Sequence, residues 1–260
     1  AGEFFGIVGE SGSGKSTLAR TIVQALPPKT GRVYLYDWDI TDARVRRAHR
    51  KQIGRELQLV FQEVQDAVNL RMRVLDAVAE PLRIVGEGTP AQRRERAAQR
   101  LRMLGLPESL FLRELHELSG GQLQRLTMAR ALMTDPAVLI ADEALSSQDV
   151  SMQAQVVDVL RRRCEAGKSN VLIAHDLSLV RAVCDRVAVM QGGRLVECAP
   201  TEQLMAQPLH PYTQALLRAI PSPDPAVRLA APQRVAGQRE QGAAKIWTEV
   251  APAHWVLQDA

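Results

Sequence analysis

Short apolar runs and helically spaced segments alternate along most of this chain. Phe4-Phe5-Gly6-Ile7-Val8 predicts a buried strand, and Leu18-Ala19-Arg20-Thr21-Ile22-Val23 has the spacing of a helix. Arg32-Val33-Tyr34-Leu35-Tyr36 alternates and carries β-favouring residues, and Leu57 to Gln62 predicts a second short strand. Residues 74–118 are rich in Leu, Arg, Glu and Ala. With breaks at Pro81, Gly86, Gly88, Pro90, Gly105 and Pro107, they predict a helical insertion of three or four helices. Leu118-Ser119-Gly120-Gly121-Gln122 opens a further helix running through Met133, so the helical subdomain spans about 74–133. Val138 to Ala141 is a buried-strand run ending in Asp142-Glu143, a helix is expected over 151–166, and the strand Asn170 to Ala174 ends at His175. Val187 to Met190 and Arg194 to Glu197 flank Gln191-Gly192-Gly193, a hairpin signal. Strands alternating with helices predict an α/β fold with a mainly parallel sheet. From Pro221 the pattern changes to a Pro-rich and then Gln/Gly/Ala-rich stretch through Ala244, which reads as a linker. Residues 245–250 and 254–257 can add a short hairpin. The expected division is a main domain over 1–220 and an extension over 221–260.

Composition narrows this only slightly. At 260 residues, 46% hydrophobic and 24% charged, the chain suits one large domain or one domain with an appendage. A formal charge of +4 from 33 basic and 29 acidic residues, largely intermixed, does not indicate a nucleic-acid partner. Residues 42–56 are locally basic (Arg44, Arg46, Arg47, His49, Arg50, Lys51, Arg55), which reads first as a solvated helix face. Cys164, Cys184 and Cys198 are odd in number and form no C-x-x-C pair, so they are expected to be reduced cytosolic thiols without a metal or iron–sulfur role. No apolar run approaches the roughly 18 residues of a membrane span, and no signal peptide is visible, so membrane association is expected to run through a partner. The first residue is Ala1 rather than Met, and the natural start is expected upstream.

The strongest chemical signal is Gly9-Glu10-Ser11-Gly12-Ser13-Gly14-Lys15-Ser16-Thr17, placed between a predicted strand and a predicted helix. This is the G-x-x-x-x-G-K-[ST] phosphate-binding pattern in its required context. Glycines at 9, 12 and 14 let successive N–H groups turn inward as an anion nest, and the helix behind adds the positive end of its dipole. Lys15 adds a full charge, worth about 4 kcal/mol against one phosphate charge at close range and an effective dielectric near 20. Ser16 offers a hydroxyl to Mg²⁺, and Thr17 can reach a phosphate oxygen. A Gly/Ser-rich turn that merely contains a lysine is the plain alternative, and the flanks argue against it. The pattern implies a nucleoside triphosphate.

Asp142-Glu143 at a strand end supplies the second half of such a site. Asp142 can hold Mg²⁺ through water, and Glu143 can orient or deprotonate an attacking water. Two acids after an apolar run usually mark only a strand leaving the core, but downstream of the lysine loop they gain weight. Ser119-Gly120-Gly121-Gln122 repeats the glycine-and-helix-start arrangement without a lysine. It is either a simple N-cap or a second anion-binding site.

These elements together resemble the ATPase subunit of ABC transporters. The matching residues are Gly9–Thr17, Gln62, Leu118–Gln122 with Gln124-Arg125, Asp142-Glu143, Asp149 and His175, in that family's order over about residues 2–198. Leu209-His210-Pro211-Tyr212-Thr213-Gln214-Ala215-Leu216-Leu217, then Ala219-Ile220-Pro221, and the end Glu249 to Val256 resemble the oligopeptide/dipeptide/nickel importer subfamily. The resemblance implies a P-loop NTPase fold and a head-to-tail dimer with two ATPs between subunits, Ser119, Gly120, Gly121 and Gln122 acting in trans. It also implies that Gln62 senses the γ-phosphate and joins Ser16 and Asp142 around Mg²⁺. Glu143 would be the base, His175 would stabilise the transition state, and Asp149 would belong to the loop coupling the two ATP sites. His49, His116, His210 and His254 receive no such role.

The chain departs from the family at three places. Ala144-Leu145 and Ser146-Ser147-Gln148-Asp149 replace the usual Pro-Thr and Ser-Ala-Leu-Asp. Only Ala1-Gly2-Glu3 precede Phe4, where the family has N-terminal strands and an aromatic residue stacking on adenine; those strands are expected to be missing, with weaker ATP binding as a result. No cysteine follows Cys198, so the iron–sulfur cluster of some subfamily members is not expected. The implied function is ATP hydrolysis coupled to uptake of peptides, nickel or a related small solute. The implied partners are a second ABC ATPase subunit, two permeases and, indirectly, a solute-binding protein, at the cytoplasmic face of the inner membrane and without nucleic acid. Three alternatives remain: a non-transport ATP-binding subunit of a cytosolic complex, a nucleic-acid-dependent ATPase using residues 44–55, and an impaired regulatory half-site.

Overall fold

The computed structural model describes residues 2–61, 68–145, 150–219 and 245–259. In chain order, β1 (Phe4–Val8) leads into α1 (Lys15–Ile22), followed by β2 (Tyr34–Leu35) and β3 (Trp38–Asp39). Next come α2 (Ala43–Ala48), α3 (Arg50–Glu56), β4 (Leu57–Val60), α4 (Val74–Val85), α5 (Pro90–Met103) and α6 (Gly120–Ala131). The chain continues through β5 (Val138–Asp142), α7 (Val150–Glu165), β6 (Ser169–Ala174), α8 (Leu177–Val183), β7 (Arg186–Gln191) and β8 (Arg194–Pro200). It ends with α9 (Thr201–Ala206), α10 (Pro211–Arg218), β9 (Lys245–Ala251) and β10 (His254–Asp259). The architecture is α/β with mostly parallel core strands, as the alternation predicted. Contacts divide the chain into two compact units: Ala1–Gly2 with Thr17–Val171, and Glu3–Ser16 with Leu172–Ala260.

In the first unit, β4 and β5 pair in parallel, with Leu57 opposite Val138 and Val60 opposite Ala141. α4, α5 and α6 pack on one another. α4 turns Val74, Ala77, Val78, Pro81 and Leu82 to one buried face, the i, i+3, i+4, i+7, i+8 stripe of a core-facing helix. Pro81 therefore does not break the helix, contrary to the sequence expectation. A helix-interior proline costs about 3 kcal/mol, but this one lies on the buried face, where packing of the stripe offsets the lost hydrogen bond. α4 stops instead at Gly86, which adopts the left-handed conformation with φ 82°. α5 begins where local chemistry places it: the Thr89 hydroxyl accepts from the Gln92 N–H, the Gln92 side chain accepts from the Thr89 N–H, and Pro90 is the first helical residue. The 74–118 segment thus holds two α-helices and two single 3₁₀ turns rather than three or four helices.

The strand expected over 32–36 shrinks to Tyr34–Leu35, paired with Trp38–Asp39. Tyr36 turns the chain with φ 54°, a backbone state that no extended residue has. The basic 42–56 segment forms α2 and α3, which bury only Ile53 between them, as a solvated face should. Arg163 of α7 is buried. It donates to the Asp135 carboxylate at 3.0 Å and the Pro136 carbonyl at 2.8 Å, pinning the helix to the turn before β5. Burial lowers its pKa from the ordinary guanidinium value.

In the second unit, β1 pairs in parallel with β7, Ile7 opposite Ala188. β7 and β8 form the expected antiparallel hairpin, and Gly192 and Gly193 supply the positive φ values of its turn. β9 and β10 form the predicted second hairpin, and β10 pairs with β8 through Trp255 opposite Cys198 and Val256 opposite Glu197. The sequence left α8, α9 and α10 unassigned; they are only seven, six and eight residues long. Among the described residues, no helix is long and apolar enough to cross a membrane. Burial raises the Cys198 pKa.

Candidate nucleotide site

The loop from Gly9 to Ser16 leaves β1 in the second unit, and α1 begins at Lys15. The strand entering it is held by its own unit: the Asp185 carboxylate accepts from the Phe4 N–H at 2.7 Å. Gly9 is required by sterics. At φ 153°, a Cβ would fall 2.2 Å from the Met190 carbonyl oxygen and 2.9 Å from the Ser13 hydroxyl. Gly9→Ala is therefore expected to destabilise the protein by about 1–3 kcal/mol, as overpacking does. A urea-unfolding midpoint equal to that of the parent would show that the loop absorbs the methyl group.

Within the loop the Ser13 N–H donates to the Glu10 carbonyl at 3.1 Å, and the Gly193 N–H from the β7–β8 turn donates to the Ser13 carbonyl at 2.9 Å. Gly12 and Gly14 take φ values of 81° and 101°, the conformations that turn neighbouring N–H groups to one side. The Lys15 ammonium, 5% exposed, donates to the Gly9 and Glu10 carbonyls at 2.8 and 2.9 Å. A buried cation in a ring of backbone, at the head of a helix, is a built anion site. Ser11 is exposed and Ser16 is half-buried. His175 stands exposed in the same unit, between β6 and Asp176, whose carboxylate caps α8.

Thr17 belongs to the first unit, as do the other predicted site residues that the structure describes. Ser119 caps α6: its hydroxyl accepts from the Gln122 N–H at 3.3 Å, and the Gln122 side chain accepts from the Ser119 N–H at 2.9 Å. Ser119 and Gly120 are exposed, with Gly121 and Gln122 half-buried, so this helix start faces outward. Asp142 ends β5 and is buried. Glu143 follows at φ 49°, a left-handed state that costs a non-glycine residue about 1–2 kcal/mol. Strain of this kind concentrates at functional turns. Ala144 and Leu145, the residues that depart from the family pattern, are fully buried, and the Leu145 carbonyl accepts from the Gln153 side chain at 3.1 Å. The Gln124 side chain reaches from α6 to the Glu143 carbonyl at 3.4 Å, so α6 and the acidic turn touch. Gln62 and Asp149, with Ser146, Ser147 and Gln148, lie outside the described residues.

Sequence reasoning missed Tyr212. Its ring is buried, and its hydroxyl accepts the Glu10 N–H of the phosphate loop at 3.0 Å. Burial raises the Tyr212 pKa. It also passed over His254, whose Nε2 lies 2.7 Å from the buried Glu197 carboxylate. No local pattern marks either contact; Tyr212 was visible only as part of a subfamily-like stretch.

A lysine-bearing glycine loop between strand and helix, a strand ending in two acids and a capped Ser-Gly-Gly-Gln helix start define a P-loop nucleotide-binding protein of the ABC type. The family described as ABC transporter matches residues 1–146, and that described as oligopeptide/dipeptide transporter, C-terminal region, matches residues 196–244. The chain belongs to the ABC transporter family. A Brucella melitensis protein provisionally named a peptide import ATP-binding protein is 47% identical over 221 residues, 85% of this chain and 58% of that protein. A Brucella ovis protein with the same provisional name is 44% identical over 228 residues, 87% of this chain and 71% of its own length. The chain thus spans little more than half of the first of these relatives. Among solved structures, a post-hydrolysis dimer of the ATP-binding cassette MJ0796 bound to ADP and Pi matches with a TM-score of 0.70 at 29% identity. That match covers 77% of this chain and 86% of the other. The cbiO1 protein of Clostridium perfringens matches with a TM-score of 0.66 at 26% identity, over 79% and 80% of the two chains.

Proposed function

We propose that this chain is the ATP-hydrolysing subunit of an ABC importer for peptides or a related small solute. The observation that carries the reading is the Gly9–Thr17 loop with the Lys15 ammonium held in it, in a chain whose residues 196–244 match the peptide-transporter C-terminal region. In this reading the loop amides and Lys15 bind the ATP phosphates, and Thr17 adds a hydroxyl. Glu143 takes the proton of the attacking water, His175 contacts the γ-phosphate, and Gln62 senses it. Ser119, Gly120, Gly121 and Gln122 complete the site of a second ATPase subunit, in keeping with their outward-facing helix start. Asp149 belongs to the loop coupling the two sites.

Ser16 would offer a hydroxyl to Mg²⁺, and Asp142 would hold it through water, with Gln62. A hydroxyl and a carboxylate suit that hard cation, which is usually held by one or two protein groups and by phosphate oxygens. When bound, Mg²⁺ neutralises phosphate charge.

The partners are a second ATPase subunit and two permeases that bring the chain to the cytoplasmic face of the membrane. Co-expression and co-purification with candidate permeases, followed by reconstitution in vesicles with a solute-binding protein, tests the reading. Peptide is expected to stimulate phosphate release several-fold. An ATPase rate indifferent to peptide, nickel and permeases alike would overturn the transport assignment.

A further inference from the structure

The nucleotide loop is gripped from the C-terminal segment of its own unit. Tyr212 closes this contact: its hydroxyl takes the Glu10 N–H, at a separation of 202 residues along the chain. Glu10 is the second residue of the loop, immediately after Gly9, where the backbone begins to turn. Its amide is thereby directed to Tyr212, and the following residues are set in register behind it. A phenol buried to 2% exposure, with its hydroxyl on a loop amide, is a placed group rather than a surface tyrosine.

The helix carrying Tyr212 is itself fixed by one carboxylate. Glu197, in β8, has no exposed surface. One of its oxygens accepts the Leu209 N–H at 2.9 Å, and the other accepts the His210 N–H at 3.0 Å. These amides lie immediately before α10, and the His210 Nδ1 in turn accepts the Tyr212 N–H at 3.1 Å. The third partner of Glu197 is the Nε2 of His254, at 2.7 Å and equally buried. A buried carboxylate is costly unless its lone pairs are taken up, and here backbone and imidazole do so. Glu197 is thus a node joining β8, the start of α10 and β10.

We propose that Tyr212 is a positioning residue of the nucleotide loop, and that the buried Glu197–His254 pair makes its grip depend on docking of the C-terminal β9–β10 hairpin. The inference rests on the nucleotide reading of the loop and extends it: nucleotide affinity responds to whether the hairpin is seated. Any partner that lifts or clamps this hairpin then acts on the loop without touching it.

The test uses the full chain and two variants. Tyr212→Phe keeps the ring and removes only the acceptor; His254→Ala removes the partner of Glu197. Two quantities are read: the Kd for a fluorescent ATP analogue with Mg²⁺, and the hydrogen-exchange rate of the Glu10 amide by NMR in the nucleotide-free protein. Loss of one buried hydrogen bond is expected to weaken binding roughly fivefold and to speed Glu10 exchange by a similar factor. His254→Ala is expected to move both in the same direction, and the double variant to add little, since the two act in one chain of contacts. In a hydrolysing assembly Tyr212→Phe should raise the KM for ATP and leave kcat nearly unchanged, the pattern of lost uniform binding. Glu10 exchange unchanged in Tyr212→Phe would overturn the role of Tyr212. Glu10 exchange unchanged in His254→Ala would overturn the link to the hairpin, even if that variant melts at a lower temperature. If the parent fails to bind the analogue, the nucleotide reading falls, and the exchange rates still decide the positioning claim.

Discussion

Glu143→Gln is expected to bind ATP within about twofold of the parent and to lose at least a hundredfold in turnover, the lower end of what a positioned general base contributes. The substitution is nearly isosteric, so the fold should tolerate it. The left-handed backbone at Glu143 costs Gln about what it costs Glu, and Asp142 and the buried Ala144 and Leu145 on either side are unchanged. The Gln124 hydrogen bond goes to the Glu143 carbonyl rather than to its side chain, so it survives. The ability to take a proton is removed. Phosphate release and analogue binding, measured on the same preparation, separate the two effects. Hydrolysis at the parental rate would overturn the role of base proposed for Glu143.

Lys15→Ala is expected to weaken ATP binding by two to three orders of magnitude, the equivalent of about 4 kcal/mol for one close charge pair at moderate dielectric. Its ammonium is buried against the Gly9 and Glu10 carbonyls, so the variant also deprives these carbonyls of a charged donor. Lys15→Met fills the stem without the charge and isolates the electrostatic part. Titration calorimetry with a non-hydrolysable ATP analogue gives both values. A Kd within tenfold of the parent in the methionine variant would mean that the loop amides alone hold the phosphates.

Several features were legible from residues close together in the chain. Gln191-Gly192-Gly193 announces a hairpin because only glycine takes the backbone angles of that turn at no cost. The Ser119 cap and its Gln122 partner read the same way. Pro90 reads in the sequence only as a break, and the structure makes it the first residue of α5, because Thr89 and Gln92 cap each other within one turn. Pro81 misled, since its local effect is to break a helix while its buried face favours one. The strand at 32–36 misled for the opposite reason: its β-favouring tyrosines face solvent, and Tyr36 takes a positive φ that no propensity announces.

The sequence by itself determined the phosphate loop, the pair of acids after β5, the capped helix start and the α/β alternation, because each is written in short-range spacing or in side-chain chemistry. The tertiary structure decided what holds that loop in place. Met190 lies where a side chain at position 9 would go, and the Tyr212 hydroxyl meets the Glu10 amide across 202 positions. His254, one unremarkable histidine among five in the sequence, lies buried on Glu197 across 57 positions. Periodicity and motif spacing report on neighbours along the chain, whereas these contacts exist only once β8, α10 and the terminal hairpin have packed together.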